Sequence, residues 1–439
     1  ITHESTGSNG YSVSQTSDGG YIVAGEDSAP MLYKIDNGGN ITWIQTYSSI
    51  SSYGYPKSVK QTSDGGYIIS GHYNPLGDVD GIHDYVIWLA KTDSDGQITF
   101  SKTYQADTDD PSGDGNNQGG GYSYSVDITS DGGYILFCYS SINSNSGDAE
   151  ALLIKTDSDG NEEWRKNHIL GVSENTQVTG GYAASDGGYV FAGNVGGYPY
   201  DGGYIVKTDS NGDIEWSQTD YLGWIESVTE TDDGGSILGS SKGGDYWLIK
   251  LNSDGSADWD ETYDAGTSIR SVDQALDGGY IATGYMYVGD EYSLTLLKVD
   301  SDGTYDKHNY YESIDDYKDF SWGNSVQAAS DGGYIVTGFT EAGPNMFTNG
   351  KMYILKTDSD LNVVDCASGW DECGECGGSG VDAYGCCPAY SPDCAGVCGG
   401  DSVLSGCDNA CNSTAEVDCA GVCGGDSVLS GCDNACNST

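Results

Sequence analysis

Four aspartates crowd one Gly-bearing stretch of this 439-residue chain, at Asp107, Asp109, Asp110 and Asp114. Crowded carboxylate oxygens suit a hard cation, which makes calcium the candidate ligand there. The spacing departs from the EF-hand loop, which has a longer acidic pattern and a closing Glu. Asp-Ser-Asp-Gly strings at 93–96, 157–160 and 300–303 read as hairpin turns rather than metal sites. The five histidines, His3, His72, His83, His168 and His308, share no ligand spacing. Neither a nucleophile motif nor a phosphate-cradling loop occurs, and no catalytic carboxylate pair can be singled out among 67 acidic residues. The expectation is a protein without catalytic residues and without a resident cofactor, calcium apart.

A second set of candidates is aromatic: Tyr53, Tyr55, Tyr73, Tyr198, Tyr200, Tyr287, Tyr311 and Trp322, with His83 among them. Such rings stack on sugar faces and anchor protein interfaces. The plainer alternative is that they are ordinary packed loop aromatics.

Cysteine supplies the third set. Thirteen of 14 lie after residue 365. Residues 393–414 recur verbatim at 418–439, giving C-x3-C-x8-C-x3-C at Cys394, Cys398, Cys407 and Cys411, then at Cys419, Cys423, Cys432 and Cys436. A unit this small buries little core, so disulfides are expected to hold it, in an oxidising compartment. Zinc is the alternative, weakened by the absence of His from the tail. Both copies end in Asn-Ser-Thr, which makes Asn412 and Asn437 glycosylation candidates beside Asn40. The Ser-Thr pairs offer an O-linked alternative. Cys138 stands apart and is discussed with the repeat.

These groups are carried by a repeat. Asp-Gly-Gly followed by an apolar strand occurs seven times, at Asp18, Asp64, Asp131, Asp186, Asp233, Asp277 and Asp331. Tyr follows in six copies and Ser236 in the other. Five residues before the Asp stands Val in six copies, and seven after it stands a small residue. Cys138 fills one of those small slots and reads as a packed core thiol. A second motif, Lys-x-Asp-x-x-Gly-x-x-x-Trp, follows each first one; Lys34 to Trp43, Lys155 to Trp164 and Lys207 to Trp216 show it fully. Lys307 replaces the Trp in the sixth copy, and Leu361 the Gly in the seventh.

Each repeat thus holds four strand-like runs between tight turns. Seven such repeats, 44 to 67 residues apart, predict an all-β, seven-bladed β-propeller of four-stranded blades over 1–365. A parallel β-helix has shorter repeats without this four-strand grammar. Ile1–Thr6 reads like the fourth-strand runs at Ile41 and Ile98, so the N-terminal strand is expected to complete the seventh blade and close the ring. A degenerate Cys-rich unit (366–392) and two repeats of 25-residue period (393–439) follow as a small disulfide-rich tail. The turns between strands one and two, and three and four, are short; the other loops are long and varied. Long, varied loops gathered on one face mark it as the functional one.

The Asp-Gly-Gly-Tyr repeat resembles the propellers of large secreted bacterial surface proteins, over residues 1–365. The tail, with its Asp-Cys-Ala-Gly-Val-Cys-Gly-Gly string, resembles repeats at the ends of secreted marine bacterial proteins. The resemblance implies an extracellular or cell-surface setting and a shape, and no activity.

Charge agrees. Acidic residues outnumber basic ones 67 to 17, for a formal charge of −50, a field that repels nucleic acid and anionic membranes. No apolar run is long enough to span a bilayer. The start at Ile1 suggests a processed form. The functional expectation is an extracellular structural or adhesive protein, the protomer of a filament or surface appendage, with copies of itself as partners. A glycan-binding propeller is the alternative, and a polysaccharide-acting enzyme a third reading.

Overall fold

In a computed structural model of the chain, the described residues are 8–51, 54–75, 85–106, 120–143, 148–170, 176–196, 202–221, 223–288, 291–311, 319–342 and 350–364, with 404–405, 410–411, 429–430 and 435–436 of the tail. The chain divides into two compact units, Ile1–Val364 and Asp365–Thr439.

The first unit is the expected all-β, seven-bladed propeller. Six blades are antiparallel four-stranded meanders in chain order. Blade 1 is Asn9–Gln15, Tyr21–Glu26, Pro30–Ile35 and Ile41–Thr46. The first strands of blades 2 to 7 are Gly54–Gln61, Gly121–Ile128, Thr176–Ala183, Trp224–Glu230, Ser268–Gln274 and Asp319–Ala328. The seventh blade contributes three strands, Asp319–Ala328, Tyr334–Ala342 and Gly350–Thr357, plus a bridge from Thr357 to Val363 that begins a fourth. The closing strand expected at 1–6 lies outside the described residues.

Burial within a blade follows position. The two middle strands of blade 1 are apolar and almost wholly buried, because neighbouring blades cover both faces. Its first strand buries only Gly10 and Val13, with a bulge breaking the alternation, and its fourth alternates toward solvent. Core clusters form between blades. Ile22, Leu32 and Tyr47 meet Val59, Tyr67 and Trp88 across blades 1 and 2, for example. The last cluster joins Val13, Tyr21 and Val23 of blade 1 to Ile335, Met352 and Ile354 of blade 7, which closes the ring. Gln15 reinforces that seam: its amide donates to Gln327 at 2.5 Å, and its side-chain oxygen accepts from the Ser330 amide at 2.9 Å.

The rim explains the second motif. Trp43, Phe100, Trp164, Trp216 and Trp259 each lie where a Cβ on the turn glycine of the next blade would collide, at Gly96, Gly160, Gly212, Gly255 and Gly303. Where the motif fails it fails on both sides. Lys307 replaces the Trp, and Leu361 (φ 64°) replaces the Gly it would have covered. Lys307 then donates to Asp360 at 2.7 Å.

In the tail, both copies form the same two-residue ladder, Leu404 with Cys411 and Leu429 with Cys436. The other tail cysteines lie outside the described residues. Cys138 is buried among Ile68, Leu136 and Leu152, and burial pushes its thiol up to about 12, as befits a packed core residue.

Candidate functional site

The most repeated polar groups turn out to build the blades. Lys34 lies 2.8 Å from Asp18, Lys91 2.8 Å from Asp64 and Lys155 2.8 Å from Asp131. Lys207 lies 2.9 Å from Asp186, Lys250 2.9 Å from Asp233, Lys298 2.5 Å from Asp277 and Lys356 2.8 Å from Asp331. The lysine of the second motif therefore locks onto the aspartate of the first within every blade. In six blades the ammonium also donates to the carbonyl of the next residue, as Lys91 does to Thr92 at 2.8 Å. Each residue of Asp-Gly-Gly has its task. Asp64 accepts from the Gly66 amide at 3.0 Å. Gly65 takes φ 82°, which favours glycine. A Cβ on Gly66 would run into the Thr92 carbonyl and Lys91 Nζ. Hydrogen bonds from Lys91 and then Thr62 hold the Asp64 carboxyl down at about 2.

With those groups assigned to structure, the axis stands out. The first strand of each blade carries a β-bulge at the same position. Register slips between Gly10 and Ser12, Pro56 and Ser58, and Val178 and Gly180. It slips again between Ile225 and Ser227, Ile269 and Ser271, and Gly323 and Ser325. In blade 3, Ser123 and Ser125 pair with consecutive residues, Cys138 and Phe137. The bulged residues are Tyr11, Lys57, Tyr124, Thr179, Glu226, Arg270 and Asn324. All seven line one axial cavity of about 320 Å³. A bulge re-aims a side chain, and here seven of them converge.

Below this layer the next serines stitch blade to blade. The Val59 amide donates to Ser12 Oγ at 3.3 Å, Val272 to Ser227 at 3.2 Å and Val326 to Ser271 at 3.2 Å. They satisfy amides on the inner edge, which has no further strand to pair with. A deeper layer is charged. Lys60 pairs with Asp127 at 2.7 Å, and burial pushes Asp273 up to about 6.

The charges of the bulge layer are less well matched. Glu226 lies 3.9 Å from Arg270, and burial pushes its carboxyl up to about 7. Lys57 sits 4.0 Å above the Tyr11 ring. The Tyr11 hydroxyl donates to Glu26 at 2.6 Å. Lys57 lines the channel and is part-buried, and desolvation by the surrounding protein pushes its ammonium down to about 8.

Two aromatic clusters flank the channel layer. Tyr55, His72, Tyr85, Tyr122, Tyr124 and Tyr139 pack on blades 2 and 3, with Tyr122 stacked on Tyr139 at 4.7 Å. Burial pushes His72 down to about 3, so it is neutral. Tyr285, Tyr287, Tyr292, Phe320, Trp322 and Phe339 pack on blades 6 and 7. Tyr287 is half exposed, and the Trp322 indole N–H has no hydrogen-bond partner among the described residues.

Of the residues singled out by sequence, Tyr55 joins the first cluster, and Tyr287 and Trp322 join the second. Tyr73 packs against the core between blades 1 and 2. Tyr311 is corrected: it is buried, and its hydroxyl donates to the Leu361 carbonyl at 2.7 Å, so it joins blades 6 and 7 and is not on an open face. Asn40 is exposed in a hairpin turn and donates to Asp36 at 3.1 Å. Tyr53, His83, Tyr198, Tyr200, Asp107, Asp109, Asp110, Asp114, Asn412 and Asn437 lie outside the described residues. The bulge layer was missed from sequence. Its one trace is position, always two residues before the Val slot of the repeat, at residues of six different kinds.

No protein-family model matches the sequence, and no curated protein matches it. Solved structures do. The WD40 β-propeller domain of Doa1 is 12% identical, with a TM-score of 0.51, over 82% of this chain and 98% of that one. A streptogramin B lyase is 12% identical, with a TM-score of 0.50, over 81% and 95%. The RRP9 WD40 repeats are 11% identical, with a TM-score of 0.50, over 81% and 97%. At this identity the likeness is one of fold, and it agrees with the seven blades seen here.

Proposed function

We propose that this chain is an extracellular structural or adhesive protein, the protomer of a filament or surface appendage. The observation that carries the reading is the verbatim 22-residue Cys repeat behind the propeller. A unit too small to bury a core, copied without change, suits an array in which each copy contacts its neighbours. The seven Lys–Asp locks give the propeller a rigid body, and a charge of −50 keeps it soluble at high concentration. A tail-to-head contact is heterologous and builds an open polymer. Electron microscopy and light scattering of the full chain at native salt, with and without calcium, test this. Filaments or long oligomers are expected; strictly monomeric particles with an oxidised, intact tail refute it.

The second reading, glycan binding, is favoured by the cluster around half-exposed Tyr287. Binding on a glycan array that is lost in Tyr287→Ala would support it over a purely structural role.

A further inference from the structure

We propose that the axial channel is a binding site for a small carboxylate, of the size and polarity of an acidic monosaccharide, held between Lys57 and Arg270 of the bulge layer. This site is independent of the filament reading.

Three observations carry it. The first is spatial. Seven bulges, one per blade, place seven non-equivalent side chains around a single cavity of about 320 Å³, at the lower end of the range for small-molecule sites. A purely structural inner ring needs no such variety; the layer beneath it joins the blades with serine at six of its seven positions, Gly180 being the exception.

The second is the charge balance. Of the 17 basic residues in a chain with 67 acids, seven are consumed by the locks and Lys60 by Asp127. Lys57 and Arg270 stand apart from these. Lys57 has the rings of Tyr11 at 4.0 Å, Tyr55 at 5.5 Å and Tyr124 at 5.9 Å within reach and the Glu26 carboxylate near enough to act on it electrostatically, but it makes no hydrogen bond or ion pair among the described residues. Arg270 has one loose contact, Glu226 at 3.9 Å, and the Tyr285 ring at 5.9 Å. An ammonium whose three donors have no protein hydrogen-bond partner is free to take an anion that enters the channel. The low pKa of Lys57, caused first by burial, reports the same deficit.

The third is the remaining chemistry of the layer. Arg270 can grip a carboxylate with two parallel N–H groups while Lys57 supplies a point charge. Tyr124, Thr179 and Asn324 then offer hydroxyl and amide groups for ligand hydroxyls, and the Tyr11 ring offers a face. Glu226, the one carboxylate of the layer, discriminates against polyanions and leaves room for a single negative charge.

The test uses the full chain in isothermal titration calorimetry with glucuronate, with glucose as the neutral control, and with a short uronate oligomer. Saturable binding of glucuronate near one per chain is expected, at least tenfold tighter than glucose. Lys57→Met and Arg270→Met should each weaken it at least tenfold, while Lys242→Met, a change outside the channel, leaves it unchanged. Binding of the oligomer but not the monomer would contradict a site built for a single negative charge and would overturn the proposal. A second measurement guards against misfolding. Lys57→Met removes an unpaired charge, so its melting temperature should not fall, and glucuronate should raise the melting temperature of the wild-type chain only. The proposal is overturned if neither uronate binds, if glucose binds equally, or if both variants bind like the wild type.

Discussion

Asp233→Ala should destabilise the propeller more than Lys250→Met, although both break the same ion pair. The pair is asymmetric in burial: the Lys250 side chain is 2% exposed and that of Asp233 60%. Asp233 accepts from Lys250 at 2.9 Å, from the Gly235 amide at 2.9 Å and from the Thr231 hydroxyl at 2.5 Å. Alanine there leaves a covered ammonium with only the Leu251 carbonyl, also at 2.9 Å. A charge-assisted bond contributes ~1.5–3 kcal/mol and a neutral one about 1 kcal/mol, which puts the loss near ~3 kcal/mol. Methionine at 250 keeps the packed stem, removes the charge that burial penalises, and returns the exposed carboxylate to water. Its cost should be about 1 kcal/mol, from the lost bond to Leu251. The double variant should then fall short of the sum by roughly 1–2 kcal/mol. Urea denaturation of the four proteins, compared at one shared slope, reads this directly. A Lys250→Met change as damaging as Asp233→Ala, or strict additivity, would show that the lock does not work as argued.

The rim makes a swap prediction. Lys307→Trp should destabilise by roughly 1–3 kcal/mol, because Leu361 fills the space that glycine leaves elsewhere, and adding Leu361→Gly should recover most of the loss in the same denaturation assay. The locks also set an acid limit. The carboxyls of Asp64, Asp131 and Asp233 lie near 2 in the fold, held down by their Lys and Thr partners; in the last two those partners outweigh an opposing desolvation. Unfolded aspartate titrates near ~3.9, so the stability they contribute is complete above about pH 4 and drains away as pH falls toward 2. Circular dichroism melts across that range should show the fall, and a flat profile from pH 5 to 2 would contradict it. Thiol titration of the unfolded, unreduced chain should find few free thiols, Cys138 among them; stoichiometric zinc with most thiols reactive would replace the disulfide framework with a metal one.

The repeat count, the four strands per blade and the placement of Cys138 could be read from the chain because each depends on local spacing. Asp-Gly-Gly announces a tight turn, the apolar run after it a strand buried on both faces, and seven copies leave little choice of architecture. The Asp–Lys locks were half legible: both motifs stand in the sequence, but nothing linear says that residues 16 to 27 apart touch. Tyr311 shows the opposite failure. A tyrosine at a loop edge reads as exposed, and only the turn of the next blade, 50 residues on, buries it. The bulge layer was invisible for a physical reason. A bulge breaks the two-residue period locally, has no required residue type, and takes its meaning from where seven separate strands meet. Sequence decided that there would be a ring of blades; the tertiary structure alone decided which seven side chains the ring would turn toward its axis.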